Sequence, residues 1–476
     1  MSWQDGDIKK AFQARRHKPW TVGYETPASA DMQTGPLEVT GKLPKDLQGV
    51  LYRNGPAMHD RGAGRYAHKW DGDGMIQAFR FADGTVTHTG RFVRTKKFQA
   101  EEAAGEYLLS AFGSAVPGKT ELNTDIDEMN SANLSAAYHA GRLLALWEPG
   151  SPHELDPETL ETKGIYRADS PELLRPFSAH PKIDTNGNGE LWNFGSDPIA
   201  SELSVYKLSA TGAVEVCRRF AVKDLPPMHD FAVTRNHLVF LLPPALFDRE
   251  KLIAGKAFGL SVNWTPELGT RVLVIDKRSW NQTWYQLPPW IIHHVGNAWE
   301  DADGVIRFDV FANAEPQAMA TGWNVMRGKY VHMQGPVMTL VELRAGKSPQ
   351  VTRFDALEGE FPVVDPALAG RDYEQVLCLS RSPGRPGGMP DWGDLASFNV
   401  KQGAIQSFGF GDDWIAEEHV YAGRNSQWAV GTALDAVARQ TVISVFNVHH
   451  VGDGPVAQVR LPYALPLGVH GTFRSL

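Results

Sequence analysis

The chain has 476 residues, 47 Lys and Arg against 55 Asp and Glu, and a formal net charge of −8. Its pI near 6.1 argues against a nucleic-acid footprint, and 42% hydrophobic with 21% charged residues is ordinary for a globular protein. Two cysteines, Cys217 and Cys378, exclude a disulfide framework and favour a reducing, cytoplasmic setting.

Taken in chain order, the N-terminus Met-Ser-Trp-Gln-Asp-Gly-Asp-Ile-Lys-Lys lacks the basic start and apolar core expected of a secretion signal. Glu102 to Phe112 has helical periodicity, as does Asp248 to Lys256, and both read as inserts. The rest reads as hairpins. Turn signals at Asp83-Gly84, His139-Ala140-Gly141, Asn186-Gly187-Asn188-Gly189, Thr211-Gly212, Asp303-Gly304, Ala345-Gly346, Gln402-Gly403 and Ala422-Gly423 separate short β-branched or aromatic runs. Strands are expected at Arg271–Asp276, Val305–Val310, Val337–Leu343, Gln427–Gly431 and Thr441–Val448. No apolar run reaches the roughly 18 residues that span a bilayer; the stretch from Leu238 to Phe247 is short and broken by Pro243 and Pro244. No Trp-Asp repeat recurs. Repeated hairpins of this kind suggest a sandwich, barrel or propeller, and without an evident linker they fit one large closed all-β body, residues 1–476. Residues 244–270, rich in Leu, Ala, Phe and Gly, read as an insert capping one face or flanking a substrate portal.

Four of the 16 histidines stand in distinctive phrases: His180 in Ser-Ala-His-Pro-Lys-Ile-Asp, His229 in Pro-Met-His-Asp-Phe, His294 in His-His-Val-Gly-Asn-Ala-Trp-Glu, and His470 in Gly-Val-His-Gly-Thr-Phe. They lie 49, 65 and 176 residues apart, so no single helix or loop collects them. The innermost strands of a propeller could each send one side chain to the central axis. Four imidazoles would make an all-nitrogen site suited to iron, copper, nickel or zinc rather than magnesium or calcium. Most histidines of a globular protein are surface or core residues, and His17, His59, His88, His153, His237, His332, His449 and His450 have no context that demands otherwise. His293 rivals His294, because neighbouring strand residues point to opposite faces.

These phrases resemble those of the carotenoid cleavage oxygenase family, and the likeness covers nearly the whole chain. It begins at Gly41-Lys42-Leu43-Pro44-Lys45-Asp46-Leu47 and runs through Tyr52-Arg53-Asn54-Gly55-Pro56 and His68-Lys69-Trp70-Asp71-Gly72-Asp73-Gly74-Met75. It then takes in the four histidine phrases and ends at Gly471-Thr472-Phe473. The resemblance implies a seven-bladed β-propeller, with loop and short-helix inserts forming a cap over one face. On its axis it implies Fe(2+) held by His180, His229, His294 and His470, where the family's His-x-x-Asn spacing, matched by Asn297, selects His294 over His293. It also implies three glutamates that hold three of the ligand rings, at Glu148, Glu360 and Glu418; His419 stands where the family usually has proline, and Glu417 is a neighbour.

The implied reaction is cleavage of one C=C bond of a carotenoid or apocarotenoid by O2, giving two carbonyl products without an organic cofactor. No Gly-x-Gly-x-x-Gly opens a helix after a strand. Phe112, Leu134, Trp147, Phe177, Trp264, Trp299 and Phe308 are candidates to line an apolar substrate tunnel. Stilbene-cleaving members carry a lysine where Trp147 stands and a tyrosine upstream, where Phe112-Gly113-Ser114-Ala115 offers none; this favours the carotenoid reading over the same chemistry on a stilbene or phenylpropene. Leu134, in Ala132-Asn133-Leu134-Ser135 where relatives read Ala-Asn-Thr-Asn, is placed to crowd an open metal position. Leu252 to Leu260, with Lys251 and Lys256, fits a peripheral membrane contact and equally a loop buried over the propeller. No obligate protein partner is evident. A reading from another class is a catalytically silent, metal-stabilised propeller that binds a lipid or partner.

Overall fold

The computed structural model describes residues 6–116, 125–170, 172–184, 189–314 and 316–476; the turn signal at Asn186-Gly187-Asn188 lies outside them. Its sheets form seven blades. Blade 1 contains Gly49–Met58, Asp73–Ala82 and Thr85–Phe92, with Asp31–Gln33 at its outer edge and the C-terminal strand Gly471–Ser475 at its inner edge. Blade 2 runs from Ser135–His139 to Thr162–Ile165, blade 3 from Lys182–Asp184 to Val214–Ala221, and blade 4 from Phe231–Val233 to Gln282–Leu287. Blades 5 and 6 share one 14-residue strand, Gln350–Val363, which starts as the outer strand of one and ends as the inner strand of the next. Blade 7 begins with Trp414–Tyr421 and takes Val39–Gly41 as its outermost strand. The ring is therefore closed twice, by an N-terminal strand in blade 7 and a C-terminal strand in blade 1.

The strands are written for burial on both faces. In His237–Leu242, Leu238, Phe240 and Leu242 pack toward blade 3, while Val239 and Leu241 pack toward blade 5. In Thr270–Asp276, Leu273 and Ile275 face blade 3, and Val272 and Val274 face blade 5. This is the period-2 alternation of a strand, with an apolar core on each side instead of one side in water. Seven such cores lie between successive blades.

Val337–Leu343 is present with the expected ends, and the other expected strands are present with ends moved by a few residues: Thr270–Asp276, Ile306–Asn313, Trp428–Asp435 and Gln440–Asn447. The first expected helix is displaced. It covers Lys96–Ala104 rather than Glu102 to Phe112, because the Thr95 side chain caps its start and Gly105, at φ 70°, ends it. The amides of Leu108 and Leu109 then donate to the Glu101 carboxylate and leave the helical path. The second is shorter than expected, Arg249–Ile253, capped by Asp248. It sits in residues 244–270 with the hairpin Ala245–Phe247 and Val262–Trp264. Helices at Gly6–Gln13 and Thr321–Val325 carried no sequence signal strong enough to predict. Among the described residues no helix is long and apolar enough to cross a membrane.

Candidate metal centre

Each of the four histidines sits at or just before the start of an innermost strand, where a side chain can be aimed at the axis. His180 precedes Lys182–Asp184, His229 precedes Phe231–Val233, His470 precedes Gly471–Ser475, and His294 lies near the start of Ile291–Glu300. Their ligand nitrogens all lie within 4.8 Å of one another. The Nε2 atoms are 2.9 Å apart for His180 and His229, 3.1 Å for His229 and His294, and 3.0 Å for His294 and His470. Two nitrogens bonded at about 2.1 Å to one metal lie about 3.0 Å apart at right angles and about 3.4 Å apart at the tetrahedral angle. The spacing therefore fits right-angled coordination, which with four ligands leaves up to two positions of an octahedron for other groups.

The other ring nitrogens of three of the four histidines are held by carboxylates. Glu148, after blade 2 strand Arg142–Leu146, bonds the His229 Nδ1. Glu360, on the inner strand of blade 6, bonds the His294 Nδ1. Glu418, on the inner strand of blade 7, accepts from the His470 Nδ1 at 2.8 Å. Blades 1, 3, 4 and 5 thus bring histidines and blades 2, 6 and 7 bring glutamates, so all seven converge on one point. Such bonds fix ring orientation and put the proton on Nδ1, leaving the Nε2 lone pair free for a cation. Glu417 faces elsewhere: its carboxylate accepts from Gly468 N at 2.5 Å and Thr432 Oγ1 at 2.7 Å, with Arg53 3.6 Å away. A bulge between Ala416 and His419 sets the two neighbouring glutamates to these different tasks.

Burial holds the His180 and His294 imidazoles well below their ordinary value, reinforced by the neighbouring rings, so both are neutral. Burial also pulls on His229, but the Glu148 carboxylate outweighs it and the net shift is upward. Glu360 is pushed up to about 7 by burial. Burial raises Glu418 too, but His470, Arg53 and the Gly471 amide outweigh it and hold it below the usual range.

The cluster opens on a cavity of about 240 Å³ whose wall includes His229, His294, Trp70, Leu134 and Phe361. A second cavity, of about 280 Å³, reaches the cluster past His180, Lys182 and Asp230. Phe361 borders both. It holds a left-handed backbone, φ 58°, with its ring centroid 5.1 Å from those of His294 and His470. A non-glycine residue in that region beside a functional cluster marks strain kept for position.

Of the seven tunnel candidates, Leu134 lines the cavity, and its carbonyl accepts from the His470 amide at 3.2 Å. The other six are not on the wall. Phe112 packs behind it, with its ring 5.0 Å from that of His68 and 5.5 Å from that of Trp70. Phe177 is in the core between blades 2 and 3, where Trp147 also packs, and Phe308 is in the core between blades 4 and 5. Trp299 lies under the Arg307 guanidinium, and Trp264 is on the 244–270 hairpin. Aromatic content cannot separate core from wall, because each strand alternates between two apolar interfaces. His293 is on the wall although His294 is in the cluster; register shifts on either side of Val295 break the strict alternation that sets neighbours on opposite faces. Tyr24, Lys69 and Asp391 are wall residues that sequence reasoning passed over. Lys69 stands inside a quoted phrase, whereas Tyr24 and Asp391 carry no signal.

The family model described as retinal pigment epithelial membrane protein matches residues 26–475. An isoeugenol monooxygenase of Pseudomonas putida is 27% identical over 97% of this chain and 98% of its own. Carotenoid cleavage oxygenase 1 of Neurospora crassa is 29% identical over 95% and 90%, and apocarotenoid-15,15'-oxygenase of Synechocystis is 26% identical over 95% and 96%. The crystal structure of cobalt-substituted Synechocystis apocarotenoid oxygenase superposes with a TM-score of 0.86 at 25% identity, covering 96% of this chain and 98% of that one. These likenesses agree with the seven-bladed architecture built above from the strands.

Proposed function

We propose that this chain, which belongs to the retinal pigment epithelial membrane protein family of carotenoid oxygenases, is a non-haem Fe(2+) dioxygenase that cleaves one C=C bond of a carotenoid or apocarotenoid. The observation that carries the reading is the right-angled spacing of four Nε2 atoms, with the rings of His229, His294 and His470 held from behind by Glu148, Glu360 and Glu418. His180, His229, His294 and His470 would hold the metal. A neutral four-nitrogen set leaves the charge of a divalent ion uncompensated at the ligands, which suits iron among the metals such a set accepts. Bound there, iron supplies the redox chemistry by which O2 and one alkene become two carbonyl products.

The protein's own share is binding, orientation and exclusion of water. Trp70 and Phe361 offer flat faces against which a conjugated chain can lie, with Leu134 beside the His470 backbone. The apolar wall keeps bulk water from the alkene. No protein group need give or take a proton, consistent with rings whose second nitrogens are all occupied at His229, His294 and His470. A cytoplasmic location belongs to this reading, with peripheral membrane contact through the 244–270 insert, where Ile253 is 57% exposed beside Lys251. Flotation with anionic vesicles tests that contact; an Ile253→Asp variant that floats as well as wild type refutes it.

A second reading, the same chemistry on a phenylpropene or stilbene, is favoured by one observation besides the isoeugenol relatives. A cavity of about 240 Å³ lies below the ~300–1,000 Å³ typical of sites enclosing drug-sized ligands. One experiment decides between them. Iron-loaded protein is incubated under 18O2 with polyenes, stilbenes and phenylpropenes, and labelled aldehydes are identified by mass spectrometry. Apocarotenoid aldehydes support the first reading and aryl aldehydes the second. Metal-free protein with full activity, or a His229→Ala variant that keeps metal and activity, removes both.

A further inference from the structure

Away from the histidines, one stretch of the otherwise mainly apolar cavity wall is charged. Lys69, Asp391 and Tyr24 meet there from three parts of the chain. Lys69 lies between strands Gly64–Arg65 and Asp73–Ala82, Asp391 lies between Gln375–Ser380 and Asp394–Asn399, and Tyr24 ends the turn Pro19–Tyr24. The Lys69 ammonium donates to Asp391 Oδ1 at 2.9 Å, and the Tyr24 hydroxyl donates to Oδ2. Both carboxylate oxygens and the tyrosine proton are thereby committed. The ammonium has three N–H groups, of which Asp391 takes one, and the side chain, which lines the cavity, is 26% exposed. Asp391 is held in the left-handed region, φ 54°, with its carbonyl accepting from Arg381 at 3.3 Å. The pair is therefore positioned by the fold rather than by two free side chains meeting in water.

A pure hydrocarbon pressed against this pair would strip water from an ion pair and give nothing back. A substrate ending in oxygen would replace the lost water. Lys69 shares the cavity wall with Trp70 and with the histidines of the metal cluster. The His293 ring centroid is 5.9 Å from that of His229 in the metal cluster and 6.0 Å from that of Trp70, the residue next to Lys69. A conjugated plane lying along Trp70 and His293 would have one end at the histidines and the other at the ammonium. We propose that Lys69, held by Asp391 and Tyr24, is the anchor for an oxygen-bearing end group of the alkene, a hydroxyl or a carbonyl. This rests on the alkene-cleaving reading and adds the chemistry of the substrate's far end. It is also a different place from the lysine position that Trp147 occupies.

The test uses the full-length, iron-loaded protein and two matched pairs of probes: isoeugenol against β-methylstyrene, the same propenyl arene without ring oxygens, and an apocarotenal against a hydrocarbon polyene of equal length. In Lys69→Met the preference for the oxygen-bearing member falls about tenfold or more in kcat/KM, through KM rather than kcat, and Lys69→Arg recovers most of it. The pair that responds identifies the source of the end group. Lys69→Met takes the cation from Asp391 and leaves it only the Tyr24 hydroxyl, so the double variant with Asp391→Asn, a residue that tolerates the left-handed backbone, must show the same loss at wild-type melting temperature. Calorimetric binding of 4-propylguaiacol against propylbenzene supplies a readout independent of cleavage. Binding preference lost with Lys69 while no alkene is cleaved would sink the dioxygenase reading and keep the anchor. Preference unchanged in both assays, with alkenes still cleaved, would overturn the anchor and keep the dioxygenase.

Discussion

Replacing each of two glutamates by glutamine should separate them, although both hold a metal-facing histidine. Glu418 uses both oxygens: Oε1 accepts from His470 Nδ1 at 2.8 Å and Oε2 from the Gly471 amide at 2.8 Å. A glutamine there must turn its NH2 toward one of two donors. If it faces Gly471, a buried donor–donor contact replaces a hydrogen bond. If it faces His470, the ring must carry its proton on Nε2, the nitrogen aimed at the metal. Loss of a hydrogen bond to a charged group costs about 1.5–3 kcal/mol. In metal affinity that is about 10–150-fold, in line with the range for such supporting groups. Glu360 differs. Its Oε2 accepts both from His294 Nδ1 and from the Phe361 amide at 2.7 Å, while Oε1 has no hydrogen-bond partner among the described residues and lies 3.9 Å from His293 Nδ1. A glutamine can put its carbonyl at the Oε2 place and its NH2 at the free place, keeping every bond. Burial already pushes Glu360 up to about 7, so a neutral side chain resembles its protonated form near neutral pH.

Glu418→Gln should therefore lose about 100-fold in iron affinity and Glu360→Gln less than about tenfold. Competition against a chelator of known affinity measures the dissociation constants, and metal analysis after dialysis checks occupancy. If Glu360→Gln loses as much as Glu418→Gln, or more, the reasoning from committed oxygens is wrong.

Lys97→Met removes a fully buried ammonium from Asp73 at 2.7 Å and Glu101 at 3.1 Å; urea unfolding should show a loss of about 3–5 kcal/mol, since two buried carboxylates lose a partner. His419, buried where the family usually has proline, has its pKa pushed by burial down to about 3 from 6.5. The unfolded chain therefore takes up a proton below about pH 6.5 that the folded chain refuses. Its contribution is complete above that pH and shrinks as pH falls toward 3. His419→Asn keeps a donor for the Glu417 carbonyl and should lose about 2 kcal/mol less than wild type between pH 7 and pH 5, measured by denaturation at each pH. Gly74→Ala should lower stability by about 1–3 kcal/mol in thermal unfolding and loosen the metal, because its Cβ would collide with the backbone of Ala132 and Asn133, next to the Leu134 carbonyl that holds His470.

The difference between what could and could not be read from the chain follows from geometry. A histidine at the mouth of an inner strand is surrounded by its own phrase, because the strand start, the turn and the side-chain aim are all local; His180 with Pro181 and His470 with Gly471 are of this kind. Phe308 has no such local marker. It sits between Arg307 and Asp309 in a strand whose alternate residues enter a core shared with blade 4, and nothing in the strand says that the face is a blade interface rather than a tunnel. Lys69 and Asp391 are 322 residues apart, and their meeting depends on ring closure by Val39–Gly41 and Gly471–Ser475, which no short window contains. That same closure ties metal binding to the whole fold. Four histidines and three glutamates come from seven different blades, so an ion that binds only the closed ring stabilises every interface at once, by about 2.7 kcal/mol when its concentration is 100 times its dissociation constant. Loss of Lys97, which ties the Lys96–Ala104 helix to Asp73 of blade 1, should then appear first as easier metal loss and only afterwards as unfolding.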